Sequence, residues 1–291
     1  MNRRAFLATA GAAATGVVAA CRSGAPGAGA TSGAGRLDRI GVQLFSLPKL
    51  LEQDFDGTLA MLARLGYQEV ELFGPYPFSV PAAHERWREV TPMLGFSGSG
   101  YFGRSARQVR ESLDRHGLAA PSMHADLDTL RDRTEQVGEA AQTLGHRYAG
   151  IASIPPERRR TLDDYRRMAD ELNAIGARAK PMGFKVLYHN HGYGLSPLEG
   201  EIPLRILLDR LDPAVVSTEM DLFWTVAGGA DPVALLDAYP RLYRLMHVKD
   251  MTKQARFAGD GGDPAQWVAL FPFMTTAGSG VLDLPRILAH A

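Results

Sequence analysis

The sequence predicts an α/β fold with parallel strands, and among such folds a (β/α)8 barrel. Helix-like segments that end in glycine alternate with apolar, strand-like runs from Arg39 onward. Short clusters of histidine and carboxylate residues stand at the ends of three of those runs. The chain has 291 residues, of which 45% are apolar, and a barrel of this kind occupies roughly 250 residues. One main domain is therefore expected.

Four of the helices are predicted by the glycine that follows each of them. Glycine just after a helix adopts a left-handed conformation at little steric cost and so ends the helix. These glycines are Gly66, Gly117, Gly145 and Gly183. Seven strands are expected, at Ile40 to Phe45, Val70 to Phe73, Pro121 to His124, Tyr148 to Ile151, Lys185 to Tyr188, Val215 to Thr218 and Leu242 to Met246.

Strands that alternate with helices leave two main architectures, a closed barrel and an open doubly wound sheet. No Gly-x-Gly-x-x-Gly follows the first strand, which weakens the dinucleotide-binding version of the open sheet. The longest connection, residues 74–104, is rich in Pro, Gly and aromatic residues. It is either a loop that overhangs the active-site face of a barrel or a peripheral helix around Ala82 to Val90.

The amino terminus has the features of an export signal. Arg3 and Arg4 precede a small-residue apolar stretch from Ala8 to Ala20, which is typical of bacterial Tat signals. That stretch is shorter than the about 20 residues that a membrane span needs. Cys21 follows it as in a lipoprotein lipobox, so residues 1–21 are predicted to be a signal peptide and Cys21 a lipidation site; the alternative is an incidental free thiol.

Residues 22–37 consist mostly of Gly, Ala, Ser, Thr and Pro, a composition typical of a flexible linker. The barrel domain is expected to span residues 38–291. Lys plus Arg equals Asp plus Glu at 32 each, which argues against nucleic acid as a partner. The expected location is periplasmic or membrane-anchored after Tat export, with membrane contact through the lipid alone; a homo-oligomer is left open.

Two histidines follow the fifth strand. Because side chains alternate along a strand, His189 and His191 point to one side and Asn190 to the other. Two imidazoles projecting together can bind a divalent metal or polarise a carbonyl group.

Two carboxylates follow the sixth strand. Glu219 and Asp221 are also two residues apart, and carboxylates that converge repel each other unless a cation neutralises them. A metal is the simplest cation; the alternative is a solvated strand end in which Glu219 caps the next turn. Trp224, just beyond, is expected to form an aromatic wall for a substrate.

The seventh strand ends in His247 and Lys249, which alternate to one side. A lysine beside a metal can stabilise negative charge on a substrate oxygen as it develops. In the first half of the chain, Gln43, Glu71 and His124 are candidate substrate-binding residues, each with the alternative of a core or rim role.

Together these motifs resemble the xylose-isomerase-like TIM barrel superfamily, which contains sugar isomerases and epimerases, inosose dehydratases and type IV apurinic endonucleases. The Tyr188 to His191 segment resembles the group usually described as sugar phosphate isomerase/epimerase. The motifs that carry the resemblance are Val70-Glu71-Leu72-Phe73, Tyr188-His189-Asn190-His191, Glu219-Met220-Asp221 and Met246-His247-Val248-Lys249-Asp250.

The resemblance implies a divalent metal, Mn²⁺ first, with Mg²⁺, Co²⁺ or Zn²⁺ as alternatives. Sugar epimerases of this superfamily commonly hold it with a glutamate, an aspartate, a histidine and a glutamate on strands five to eight. The first three positions fall on His189, Asp221 and His247, so the first ligand is a histidine here. The fourth has no counterpart. The chain is therefore expected to end before the eighth strand.

The expected function is a metal-dependent isomerase or epimerase that forms an enediolate from an unphosphorylated sugar or keto-sugar. Lys249, His191 and Glu219 are the candidate catalytic residues, and the proton-abstracting base is not assigned among them. Export favours an unphosphorylated substrate, because sugar phosphates are cytoplasmic. The alternatives are a lyase or hydrolase of 3-keto-glycosides on the same barrel, and an inactive, lipid-anchored sugar-binding barrel.

Overall fold

In the part of the chain that the structure describes, seven parallel strands form one sheet in chain order. Each strand pairs with the next strand in the sequence, so the sheet lacks the reversal of strand order that defines a doubly wound fold. The α/β class with a barrel-type sheet is thus confirmed. The strands are β1 Gly41–Gln43, β2 Glu69–Phe73, β3 Ala119–Ala125, β4 Tyr148–Ile151, β5 Lys185–His189, β6 Val216–Asp221 and β7 Tyr243–His247.

The structure, a computed structural model, describes residues 39–291. The predicted signal peptide at residues 1–21, its Cys21 and the predicted linker at residues 22–37 lie outside the described residues. Within the part that is described, no helix is both long and apolar enough to cross a membrane.

Helices cover the sheet between the strands. The four glycines predicted to end helices all have positive φ, between 67° and 97°. The helices are α1 Pro48–Gln53, α2 Phe55–Arg64, α3 Pro81–Leu94, α4 Ala106–His116, α5 Leu127–Asp132, α6 Thr134–Leu144, α7 Leu162–Ala179, α8 Pro203–Arg210, α9 Leu222–Ala227, α10 Pro232–Ala238, α11 Pro264–Leu270 and α12 Leu284–Leu288.

Two segments differ from the simplest expectation. The predicted strand from Ile40 to Phe45 is shorter, because the Gln43 side chain accepts a hydrogen bond from the Phe45 amide at 2.8 Å and caps a 3-10 turn over Leu44–Ser46. The long connection over residues 74–104 contains α3, which is the helical alternative for this segment.

The core lies between the helices and the sheet. Leu59 on α2, Leu172 on α7, Val186 on β5 and Val216 on β6 are all fully buried. Burying a side chain of this size contributes roughly 1.5–3 kcal/mol each. Apolar packing against the helices therefore stabilises the sheet, and the polar side chains lie at its carboxyl edge.

An excursion, residues 250–282, separates β7 from α12. It contains a two-stranded antiparallel sheet, β8 Asp250–Met251 with β9 Met274–Thr275, and helix α11. The fully buried Asp250 carboxylate accepts backbone hydrogen bonds from Gly278, Gly280 and Leu282 at 2.9–3.0 Å and from Met251 at 2.8 Å. Asp250 therefore ties the two ends of the excursion together.

His146 is buried just before β4. Its Nδ1 donates to the Ala120 carbonyl oxygen at 2.5 Å, and among the described residues its Nε2 has no hydrogen-bond partner. Burial lowers the pKa of His146 to about 4, against the hydrogen bond to Ala120 and the charge of Glu71, which both raise it.

We expect the unfolding free energy to fall as the pH drops from 6.5 to about 4, because over this range the unfolded chain binds a proton that the folded chain excludes. Neutral His146 leaves the unfolding free energy undiminished above its ordinary pKa. As the pH falls to the pKa of the folded state, the unfolding free energy decreases by about 3 kcal/mol. His146→Asn keeps a donor for Ala120 without a titrating ring. Urea unfolding at both ends of the range should show a weaker pH dependence for this variant than for His290→Asn, which changes an exposed histidine. Equal dependence in the two variants would contradict this assignment.

Candidate metal centre

Three imidazoles and one carboxylate converge at the carboxyl edge of the sheet. One ligand atom from each of His124, His189, Glu219 and His247 lies within 4.8 Å of the corresponding atom in the other three. These four residues, here called the histidine–glutamate cluster, come from β3, β5, β6 and β7. The strand register brings two of these residues together, because His189 is directly opposite Glu219 across the β5–β6 pair.

Glu219 is the common partner of the three rings. Its Oε2 lies 2.8 Å from His124 Nε2, 3.0 Å from His189 Nδ1 and 3.4 Å from His247 Nε2. The carboxylate is 2% exposed. One oxygen thus stands where the donor atoms of all three histidines meet.

A second carboxylate, Glu71, closes the cluster from β2. Its Oε1 lies 2.9 Å from His247 Nε2, 3.3 Å from His124 Nε2 and 3.0 Å from Gln43 Nε2. Its Oε2 accepts a hydrogen bond from Ser122 Oγ at 2.6 Å. In a flat sheet, the five inter-strand spacings between β2 and β7 would separate these residues by about 24 Å. The contact shows that the sheet curls round on itself, as barrel strands do.

The histidines of the cluster differ in the direction of their pKa shifts. Burial by itself lowers the pKa of His247, but the charge of Glu219, the nearby Asp221 carboxylate and the bond to Glu71 raise it to about 10. For His189, burial prevails over the bond to Glu219 and lowers the pKa to about 4. Repulsion from His247 and His124 adds to the effect of burial at His189, since a third imidazolium beside two others is unfavourable.

Burial and neighbouring charges also act in opposite directions on the pKa values of His124 and Glu219. Burial by itself lowers the pKa of His124, but the charge of Glu71 and the bond to Glu219 raise it overall. Burial by itself raises the pKa of Glu219, but the charge of His247 and the bonds from the other two rings hold it well below the usual range. In this arrangement Glu219 is ionised, and the positive charge on His247 balances it, whereas His189 is neutral.

Asp221 lies beside the cluster and pairs with Lys249. The Lys249 Nζ donates to its Oδ2 at 2.5 Å, whereas nitrogens of His189 and His247 are each 3.8 Å away from that oxygen. Burial by itself raises the pKa of Asp221, but the Lys249 ammonium and the neighbouring imidazoles lower it. Asp221 Oδ1 also accepts the Trp224 amide at 3.0 Å and so caps α9.

Asn190, on the opposite side of β5, fixes this corner of the site. Its Oδ1 accepts the backbone amide of Asp221 at 3.0 Å, and its Nδ2 donates to Thr225 Oγ1 at 3.1 Å. The end of β5 is therefore joined to the end of β6 and the start of α9 by one buried side chain.

His191 lies next to the cluster, with its ring centroid 5.2 Å from that of His189. Its Nδ1 donates to the Ala152 carbonyl oxygen, which leaves Nε2 as the nitrogen that accepts. Burial lowers the pKa of His191 well below its usual range, and the nearby His189 lowers it further. His191 is therefore a neutral imidazole with a free lone pair.

The sequence-predicted residues are arranged as follows. The structure brings the predicted ligands His189 and His247 together. The third predicted ligand, Asp221, accepts a hydrogen bond from Lys249, and the ligand role of Asp221 stays a prediction. Gln43, predicted to bind substrate, is bonded to Glu71.

Trp224 is 3% exposed, and Phe257 stacks on it with the ring centroids 5.6 Å apart. Its role as a substrate wall also stays a prediction.

Sequence reasoning missed three participants. Ser122 stands two residues before His124 and so faces the same way, which is a usable local signal. The Ala152 carbonyl and the Trp267 indole have no such signal, since their contacts with His191 come from distant parts of the chain.

The donor set fits a divalent ion. Imidazole is a favourable ligand for Zn²⁺ and for other divalent ions of the first transition series, and carboxylate suits Mn²⁺. The four donor atoms converge on one another, and the proton on His247 supplies positive charge that an ion would replace. His124, His189, Glu219 and His247 would hold it.

Fold and site together define a parallel α/β barrel-type protein with a buried histidine–glutamate group able to hold a metal ion. Residues 59–287 match the family described as xylose isomerase-like TIM barrel, and the chain belongs to that family.

Known proteins resemble this chain over different extents. An inosose dehydratase from Bacillus anthracis (strain CDC 684 / NRRL 3495) is 28% identical over 114 residues, which are 38% of this chain and 37% of that protein. The chain thus matches little more than a third of the length of that curated relative.

Two solved structures resemble the fold. A sugar phosphate isomerase/epimerase from Parabacteroides distasonis ATCC 8503 has a TM-score of 0.60 at 24% identity, over 77% of this chain and 79% of that chain. The IOLI protein with a bound zinc atom has a TM-score of 0.60 at 15% identity, over 87% of this chain and 84% of that chain. At these identities the likeness concerns the fold alone.

Proposed function

We propose that this protein is a divalent-metal-dependent isomerase or epimerase of an unphosphorylated sugar or keto-sugar. The observation that carries the proposal is the histidine–glutamate cluster, whose four ligand atoms lie within 4.8 Å of one another at the carboxyl edge of the sheet. Active sites of β/α barrels are built at this edge. We propose Mn²⁺, Co²⁺ or Zn²⁺ ahead of Mg²⁺, because three of the four donors are imidazole nitrogens.

A divalent ion in this cluster would polarise a substrate carbonyl and so acidify the hydrogen on the neighbouring carbon. His191 Nε2 then takes that proton, and its return to the adjacent carbon isomerises the sugar, whereas epimerisation requires that a second acid protonate the opposite face. The His191 Nδ1–H is held by Ala152, so only Nε2 can accept. Lys249 offers positive charge to the oxygen that becomes anionic.

The engagement of Arg159 supports an unphosphorylated substrate. Phosphate sites use free arginine or lysine side chains, or helix amino termini. Arg159 donates to the carbonyl oxygens of Ile154 and Gly262 at 2.9 and 2.8 Å. The export signal predicted at residues 1–21 points to the same substrate class.

The proposal is tested by proton exchange in D₂O. Protein loaded with Mn²⁺ is incubated with D-fructose and, separately, with an inosose, and the products are identified by NMR. An isomerase or epimerase places deuterium at the carbon next to the carbonyl and forms a new sugar. A metal-loaded protein that exchanges no hydrogen and forms no product with any keto-sugar tried would favour a binding protein instead.

His191→Asn is expected to lower the exchange rate by about 100- to 10,000-fold, the usual contribution of a general base. Asparagine can still donate to Ala152 but has no equivalent of Nε2. Bound metal, measured by elemental analysis, should be unchanged. Exchange at the wild-type rate in this variant would exclude His191 as the base.

A dehydratase is the second candidate, favoured by the similarity to inosose dehydratases. The first proton transfer is the same, but a hydroxyl group then leaves as water from the next carbon. The NMR experiment separates the two, because a dehydratase consumes an inosose and releases an unsaturated or dicarbonyl product without forming an epimer.

A further inference from the structure

The His191 ring lies in an aromatic slot. Trp267 on α11 stacks on it with a centroid distance of 4.6 Å and an interplanar angle of 17°. Tyr193 is nearly parallel to the same ring at 6.4 Å and 16°. The Trp267 indole is itself fixed, because its Nε1 donates to the Gly261 carbonyl oxygen at 2.7 Å.

Two glycines allow the excursion to pack directly on the backbone beside His191. A Cβ atom on Gly192 would lie 1.8 Å from the Phe257 ring, so no other residue fits there without displacing that ring. A Cβ atom on Gly261 would lie 2.7 Å from the Gly192 backbone, and Gly261 has a φ of +71°. The segment that carries Trp267 is therefore seated on the chain that carries His191.

A clamp from the barrel holds this segment in place. The Arg159 guanidinium donates to the Gly262 carbonyl oxygen at 2.8 Å and to Ile154 at 2.9 Å, and it lies 3.9 Å over the Tyr193 ring. The position of Trp267 is thus set by the barrel.

We propose that Trp267 is a positioning residue that fixes the plane of the His191 imidazole. The hydrogen bond to Ala152 fixes one ring atom, but the terminal torsion of histidine is broad and leaves the ring free to tilt. Stacking by Trp267 prevents the ring from tilting and so fixes the direction in which the Nε2 lone pair points. This inference rests on the proposed function of His191 as the base.

The kinetic test compares Trp267→Ala and Trp267→Phe in the Mn²⁺-loaded protein with the keto-sugar that the wild type turns over. We expect Trp267→Ala to lower kcat by about 10- to 100-fold, since a small misplacement of a reacting group has effects of this size. KM and bound metal should change by less than about threefold, and Trp267→Phe should restore most of kcat because a stacked ring is retained.

Trp87→Ala and Trp87→Phe are the matched controls. Trp87 is also half-buried, its Nε1 also donates to a backbone carbonyl at 2.7 Å, and it packs on Phe73 and Phe96 instead. Equal losses of kcat in the alanine variants of both tryptophans, or no recovery of kcat in Trp267→Phe, would overturn the proposal.

A second measurement does not depend on turnover. In ¹⁵N-labelled protein, the His191 Nδ1–H resonance is identified by its loss in His191→Asn, and its exchange with solvent is followed by NMR. Exchange at least about 10-fold faster in Trp267→Ala than in Trp87→Ala is expected, because a ring that tilts breaks its bond to Ala152 more often. Unchanged exchange would overturn the positioning role. If only the proposed function is wrong, the wild type will turn over no keto-sugar, but the faster exchange in Trp267→Ala than in Trp87→Ala will still be observed.

Discussion

Glu219→Gln is expected to lower the affinity for Mn²⁺ by more than about 100-fold, beyond the effect typical of losing an outer-shell contact. Glu219 Oε2 is the atom that all three imidazoles of the cluster reach, at 2.8 to 3.4 Å. Glutamine has the same shape but no negative charge, and an amide is a poor ligand for these ions. Turnover should fall with the bound metal.

The fold should survive this change. Without the Glu219 charge, the imidazoles can release their protons, so no unpaired buried cation remains. Calorimetric titration with MnCl₂ measures the affinity, and Glu139→Gln, an exposed position on α6, is the control. Undiminished Mn²⁺ binding by Glu219→Gln would refute the assignment of this ligand.

Asp221→Asn, tested in parallel, separates two ligand sets. The family resemblance implies Asp221 as a ligand, whereas the contacts of the cluster favour Glu219 and His124. Asparagine can still cap α9 through Oδ1. A loss of affinity larger for Asp221→Asn than for Glu219→Gln would restore the set implied by the resemblance.

Asp250→Asn is expected to lower the unfolding free energy by about 3 kcal/mol, because four backbone amides lose a charged acceptor and the new amide group opposes some of them. For a domain of this size that corresponds to a fall in Tm of roughly 6 to 12 °C. The excursion should open first, since Asp250 holds both of its ends.

Thermal unfolding and hydrogen exchange measure this effect. The Gly278, Gly280 and Leu282 amides should lose protection. Asp260→Asn is the control, because the exposed Asp260 accepts one backbone amide, from Gly262 at 2.9 Å. Similar melting temperatures for the two variants would contradict a stabilising role for Asp250.

The strand-end pattern of the sequence predicted much of the site. Alternation along β5, β6 and β7 put His189, Glu219 and His247 on the inner side, and the carboxyl ends of parallel strands share one edge. Which of these side chains would touch was beyond that pattern, because neighbouring groups compete for the same partners. Asp221 pairs with Lys249 beside the cluster, and its predicted role as a metal ligand stays a prediction.

The first half of the chain was harder to assign. Glu71 and His124 each looked as much like core or rim residues as like parts of a site. They acquire their contacts only when the sheet curls, which brings Glu71 within 2.9 Å of His247, 176 residues further along the chain. Curvature is the sum of small twists over many strands, and no local motif encodes it.

The sequence by itself determined the alternation of strands and helices, the helix ends at glycine and the edge of the sheet that carries the polar groups. These features depend on local periodicity and on backbone conformations that single residues prefer. The tertiary structure alone decided that His124 and Glu219 join the cluster, that Lys249 takes Asp221, and that Trp267 covers His191. The physical reason is that each of these contacts depends on distances between segments that are far apart in the chain, and packing of the whole domain sets those distances.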